Sequence, residues 1–400
     1  MNHTTPQRLA LTVGAVQMFL ALCWTVYVVF LPRLCAQAGL EAGFEAGLVP
    51  WILLADQAIF AVCDWAAGIW ADRAGRVVGR IGKLVVAATA ISCAAFFALP
   101  FAAPDADPRV FLALILAWSA TSSALRAPLI VLIGRHAPRS SQPFLAALLL
   151  LGTGVAGAAS PYLAATLAKV DARFPFALAS LALLAMTWVL STAEAMLPRP
   201  QAVPPPEPSA RTHGSTLTWF LIAVAFLGIG FQVHVAVNAA PSYLKFAAQD
   251  QLERLMPLFW IGFSVATVPA AALTRRWGGP LTVAFGAVIG GLATFVIAAA
   301  TSLDTVIAGE LVAGAAWGCV LMSALSAALA FGHTGAEGKF AGGLFSVLAL
   351  AAVARIALGA GFVVPPTALA AFLPWTPTSA WLLAAMVLLC MLAYGKARGA

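Results

Sequence analysis

The chain has 400 residues, of which 62% are hydrophobic and only 9% charged. A soluble domain carries about 25% charged residues, so a fold surrounded by water could not hide this much apolar surface, and the missing partner is the lipid bilayer. The formal net charge of +7 sits in short loops between apolar runs, where it reads as a topology signal and not as a nucleic-acid surface.

A membrane helix needs about 20 mostly apolar residues, and such runs follow one another along the chain. Spans are predicted at 9–31, 48–70, 83–102, 109–133, 143–168 and 174–197, then at 217–242, 253–274, 279–300, 305–331, 340–364 and 378–395. The first run continues past Cys23 to Phe30 without a small-residue cleavage site, so it is expected to be a retained helix and not a signal peptide. Cys23, Cys63, Cys93, Cys319 and Cys390 lie inside apolar runs and Cys35 lies near a loop, with no CxxC or Cys/His metal spacing. They read as small packing residues, and no cofactor or metal is implied.

Between the sixth and seventh spans the composition changes. The stretch 198–215 opens on Pro198-Arg199-Pro200 and includes Pro204-Pro205-Pro206-Glu207-Pro208, which disfavours helix and reads as an extended, water-exposed linker. The expected architecture is therefore an all-α membrane protein of twelve transmembrane helices, built as two six-helix pseudo-repeats: an N-terminal bundle 1–197, the linker 198–215 and a C-terminal bundle 216–400. A weak echo between the halves supports duplication. The first span of each half ends in a proline exit, Leu31-Pro32-Arg33 and Ala240-Pro241-Ser242, and arginines follow each second span, at Arg73/Arg76/Arg80 and Arg275/Arg276. Two six-helix repeats around a central site are a common transporter plan. Loops on the side shared by both termini hold fourteen of the 22 Lys and Arg residues and the opposite loops six, with Arg126 and Arg355 inside spans. The positive-inside rule then places both termini in the cytoplasm, in a bacterial-type inner membrane.

After the second span comes Gly68-Ile69-Trp70-Ala71-Asp72-Arg73-Ala74-Gly75-Arg76, then Gly79-Arg80. Gly68 permits close helix contact, Asp72 sits where a carboxylate can reach the start of a neighbouring helix, and the arginines can bridge the halves through charge-assisted bonds. Gly68, Asp72, Arg73, Gly75, Arg76 and Arg80 are thus candidate gating residues, forming a latch that closes the cytoplasmic side. This loop resembles the G-x-x-x-D-R-x-G-R signature of the major facilitator superfamily. The resemblance implies the twelve-helix transporter fold, secondary transport by alternating access and a monomer. One departure stands out: the superfamily often places an acid at the cytoplasmic end of the fourth helix, where this chain reads Gly134-Arg135-His136. Asp64, Gly68, Asp72-Arg73 and Gly79-Arg80 also resemble, more weakly, the glycoside–pentoside–hexuronide branch, although that branch tends to carry an aspartate where Phe60 stands here. The fifth span carries Gly152, Gly154, Gly157, Ser160, Pro161, Ala164 and Ala165. It is similar to the proline–glycine motif of proton-coupled exporters, and close helix packing by small residues explains it equally well.

Ionisable side chains at depth in a membrane are costly and face a cavity or a partner. They are Asp56, Asp64, Arg126, His234, Glu310 and Arg355, with Glu194 near a span end and expected to snorkel. Asp56 and Asp64 lie about 12 Å apart on roughly one helix face, and Asp64 is expected to pair with Arg126. Arg355 is expected near the middle of the eleventh span, with Asp56 or Glu310 as its partner. One arginine in each half could instead hold an organic anion such as a carboxylate. Asp56, Asp64 and Glu310 are the candidates for ion coupling, with H+ favoured and Na+ the alternative. Candidate substrate-binding residues are Arg126, Arg355, Gln232, His234 and Asn238, with Gln17, Trp24 and Tyr27 of the first span as weaker ones. The seventh span is expected to break near Ala239-Ala240-Pro241.

The expected function is secondary transport of a small organic solute. Proton-driven efflux of drugs or metabolites is the alternative within transport, and a non-transporting sensor or assembly factor is the alternative outside it. A membrane enzyme is disfavoured, because the sequence carries no phosphate loop, metal-ligand cluster or Ser/His/Asp grouping.

Overall fold

The computed structural model describes residues 4–40, 47–78, 80–136, 141–167, 169–197, 214–332, 335–359 and 371–397. Twelve helices in it are long and apolar enough to cross a membrane: α1 Arg8–Gln37, α2 Val49–Gly75, α3 Gly82–Asp105, α4 Pro108–Gly134, α5 Gln142–Leu167, α6 Arg173–Ala195, α7 Thr216–Leu244, α8 Gln249–Trp277, α9 Gly279–Ala298, α10 Leu303–Phe331, α11 Glu337–Leu358 and α12 Leu373–Gly395. Each predicted span has its helix. Most of the expected linker, residues 198–213, lies outside the described residues, and helix has already begun at Gly214.

Short caps set several starts. Asp107 accepts from the Arg109 amide at 2.7 Å ahead of α4, with Pro108 in the first turn. Asp171 does the same for Arg173 at 2.8 Å ahead of α6, and Ser302 accepts from Thr305 ahead of α10. These oxygens satisfy amides that an isolated helix start leaves open.

The proline exits are not exits. Helix continues through Pro32 as far as Gln37, and α7 continues through Pro241 to Leu244. Nor does α7 break; it widens into a π turn over His234–Asn238, where the Ala239 amide donates to the carbonyl of His234. A wider turn relieves the clash between a proline ring and the carbonyl four residues earlier, so the chain passes the proline without stopping. By contrast α4 does break, with helical segments Pro108–Ala124 and Arg126–His136 on either side of Leu125. Pro128 offers no amide to the Ala124 carbonyl, which is the local reason.

Helices meet where side chains are absent. A Cβ at Gly314 of α10 would collide with the Phe259 carbonyl of α8, and one at Gly152 of α5 with the Gly14 carbonyl of α1. Between the first six helices and the last six there are two long seams, α2 against α11 and α5 against α8. In lipid the hydrophobic effect does not drive helices together, so close backbone approach takes its place.

We expect Gly314→Val to lower the thermal unfolding midpoint in detergent, through overpacking of about 1–3 kcal/mol. Gly343→Val, at a position with nothing within 4 Å, is the matched control and is expected to leave the midpoint unchanged.

Candidate functional site

In the first six helices, α2 and α4 face each other along a polar stripe. Asp56 is fully buried and accepts from the Tyr27 hydroxyl of α1 at 2.8 Å and from the Ser119 hydroxyl of α4. The Tyr27 ring packs 4.5 Å from Trp118 and 5.4 Å from Trp24, which closes this carboxyl inside an aromatic wall. Two turns further along α2, Asp64 accepts from the Ser123 hydroxyl at 2.9 Å and lies 3.0 Å from the Arg126 guanidinium. The expected Asp64–Arg126 pair therefore forms. Arg126 opens the second segment of α4, immediately after the break. Its guanidinium lies over Phe60 at 4.8 Å and over Phe345 of α11 at 5.9 Å, so one cation touches both sets of six helices. The Arg126 side chain keeps 23% of its surface, against 1% for Asp64.

In the last six helices, His234 stands in the π turn of α7, with Nε2 3.1 Å from Glu310 of α10, and both side chains are buried. The second oxygen of Glu310 and the hydroxyl of Tyr243 are buried without a hydrogen-bond partner. Arg355 departs from expectation. Neither Asp56 nor Glu310 pairs with it, because hydroxyls hold one and His234 holds the other. It lies about 27 Å along α11 from Glu337 at 1.5 Å per residue. The guanidinium is half-buried, with its Nε enclosed and unbonded, and no ion pair to it occurs among the described residues. Gln232 is half-buried nearby in sequence, whereas Asn238 donates to the Leu373 carbonyl at 3.1 Å and so ties α7 to α12. Gln17 reaches Thr153 of α5 at 3.4 Å, and Trp24 is half-buried in the aromatic group. These last three residues stitch helices together, and the structure does not gather them with Arg355 into one cluster.

The signature loop closes one end of the α2–α11 seam. Asp72 accepts from the backbone amides of Gly338 and Lys339, both at 2.8 Å, at the start of α11. A Cβ on either Gly68 or Gly338 would collide with the other's carbonyl, so both glycines are needed for the carboxylate to reach. A carboxylate on two amides of a helix start has charge-assisted bonds and the dipole in its favour. The arginines behave differently from expectation. Arg73 is exposed, and Arg80 donates to the Leu197 carbonyl at 2.9 Å, within the first six helices. Gly75 is buried in the last turns of α2; the Arg76 side chain and Gly79 lie outside the described residues. Among the described residues of the loop, Asp72 carries the inter-half bond.

The sequence profile of the Major Facilitator Superfamily matches residues 13–354. The chain belongs to the major facilitator superfamily. No curated protein sequence matches it. Among solved structures, the human organic anion transporter MFSD10 (TETRAN) superposes with a TM-score of 0.69 at 14% identity, over 96% of this chain and 98% of that one. A variant of the fucose:proton symporter FucP of E. coli gives 0.68 at 14%, over 96% and 98%. A bacterial homologue of the iron transporter ferroportin, in an outward-facing state, gives 0.71 at 14%, over 97% and 99%. These likenesses establish the shared fold.

As a superfamily member the chain is a multi-pass membrane protein of secondary-transporter class, and three features give its own version of the scaffold. The acid absent from the end of α4 has a counterpart from the other side: Glu337, in the first turn of α11 and mostly buried, packs against Gly134 with its Cγ 3.3 Å from where a Cβ would stand. The small residues of α5 are packing residues here, since Gly154 and Gly157 receive Phe263 and Trp260 of α8. Glu194 does not snorkel. It is 2% exposed and accepts from the amides of Ile81 and Gly82 at 3.0 and 2.6 Å. A sequence signal for it existed: α3 opens after Arg80-Ile81, with no Ser, Thr, Asp or Asn to cap it.

Breaking the Asp64–Arg126 pair from one side leaves a charge without its partner. We expect Arg126→Ala and Asp64→Leu each to destabilise by about 3 kcal/mol, read as a fall in the thermal unfolding midpoint. The double variant should lose less than the two losses added, because the pair is removed together.

Proposed function

We propose that this protein is a proton-coupled secondary transporter of a small organic anion, of carboxylate type, working by alternating access in an inner membrane with both termini cytoplasmic. In this reading the bundles 1–197 and 216–400, joined by the linker 198–215, rock about a central site. The observation that carries the proposal is Arg355: a half-buried guanidinium within the α11 span, without an acidic partner among the described residues. An uncompensated buried cation is costly, and an anionic cargo supplies the missing charge in the planar geometry that a guanidinium recognises. Arg126 is the corresponding cation of the first half. Asp64 neutralises it, yet its side chain remains partly open and touches Phe345 across the seam. A carboxylate arriving there competes with Asp64 and frees that acid to take a proton.

Glu310 is the second coupling candidate. It faces His234, and its other oxygen is unbonded. Asp56, held by two hydroxyls, is the third. The Asp72 contact with α11 serves as the latch that keeps the cytoplasmic side shut until cargo and ion are both loaded. The likeness to a human organic anion transporter supports the view that this architecture accommodates such cargo.

The test is thermal stabilisation of the purified protein by a panel of carboxylates, neutral sugars and cationic drugs, at acidic and neutral pH and with and without Na+. A carboxylate should stabilise the parent more strongly at acidic pH, independently of Na+, and Arg355→Ala should abolish the effect. Stabilisation by cationic drugs that survives Arg355→Ala overturns the anion site in favour of drug efflux. A requirement for Na+ overturns proton coupling.

A further inference from the structure

The cytoplasmic ends of α3 and α6 exchange caps. The start of α3 has open amides and Ile81 has no side-chain oxygen to offer them. Glu194 of α6 supplies both carboxylate oxygens, one to Ile81 and one to Gly82, from a site that is 2% exposed. In return Arg80, one residue before Ile81, donates to the Leu197 carbonyl just past the end of α6. The acid thus sits at the positive end of one helix and the guanidinium at the negative end of the other, each supplied by the opposite helix. Gly82 is part of the fit: a Cβ there would stand 2.5 Å from Glu194 Oε2 and 2.9 Å from Ser191 Cα. The two backbones could not approach this closely with a larger residue.

The exchange lies a short way along the chain from the latch. Helix α2 continues beyond its membrane span to Val78, so from Asp72 the chain is helical to within two residues of Arg80. On one side of this segment Asp72 grips the start of α11; on the other, Arg80 and Ile81 are gripped by α6.

We propose that Glu194 is a positioning residue for the Asp72 latch: by fixing the start of α3 on α6, it holds the end of α2 at the height and rotation from which Asp72 reaches the Gly338 and Lys339 amides. Leu197 also directly precedes the proline-rich stretch 198–215 read as the inter-half linker, so the same anchor ties the latch segment to that junction. The proposal rests on the reading of Asp72 as a latch, and its experiment separates the two.

The readout is hydrogen–deuterium exchange of the full-length protein, followed by mass spectrometry of peptides covering residues 337–340 and 80–84. Asp72→Asn should speed exchange at 337–340. Glu194→Gln, which keeps the shape of the side chain and removes its charge, should speed exchange at 80–84 and also at 337–340, the latter roughly three- to tenfold, as when a bond to a charged group is weakened. The double variant should exchange at 337–340 no faster than Asp72→Asn alone. If Glu194→Gln does not yield folded protein, Arg80→Ala reads the same link from the other side, with the same expected direction. Faster exchange confined to 80–84 in these variants, while Asp72→Asn still exposes 337–340, overturns the proposal and leaves Glu194 a local cap. Unchanged protection at 337–340 in Asp72→Asn overturns the latch reading and this proposal with it.

Discussion

Hydrocarbon offers no hydrogen bond to a charged side chain, and the sequence puts six ionisable groups at depth in the predicted spans, besides Glu194 near a span end. Each must find its partner within the protein or in what the protein binds, and the irregularities of the helices follow the places where partners are found. The break in α4 at Leu125 comes immediately before Arg126, the residue that meets Asp64. The π turn of α7 begins at His234, the residue that meets Glu310. Straight helices would have given each side chain a different direction. These two departures from regular geometry fall at polar contacts, whereas the interruption of α8 at Met256 comes immediately ahead of Pro257.

The two seams between the halves use different physics. Along α5 and α8 the contact is largely aromatic, with Trp260 and Phe263 set against glycines. Along α2 and α11 the contact carries charge, from Arg126 over Phe345 to Asp72 on the α11 amides. A seam of ring against glycine depends little on ions or protons. One built on carboxylates and a guanidinium responds to both, and the substrate and ion chemistry proposed above falls on that side of the molecule.

The sequence discloses the fold through windows of about 20 apolar residues, and all twelve helices are legible that way. The Asp64–Arg126 pair is legible too, because depth along two helices puts both groups at one height and neither is stable alone. Depth does not give rotation, however, and that is why depth alone matches Arg355 with Asp56 and Glu310. The partners those acids actually have, Tyr27, Ser119 and His234, differ from other hydroxyls and imidazoles only by the face on which they sit. The proline exits mislead for a related reason: a π turn can absorb Pro241, and no residue type announces such a turn. Glu194 reads as a span-end acid because its partners are amides, whose one mark in the sequence is the missing cap residue ahead of α3.

Asp72 shares this property with Glu194. Its partners across the seam are also main-chain amides, which every residue except proline possesses. Substitution on the α11 side can therefore run almost freely, provided that position 338 stays small enough for α2 to come near. The acid's side has no such freedom, since only a carboxylate of the right length will serve. A contact between two halves thus leaves its imprint on one of them.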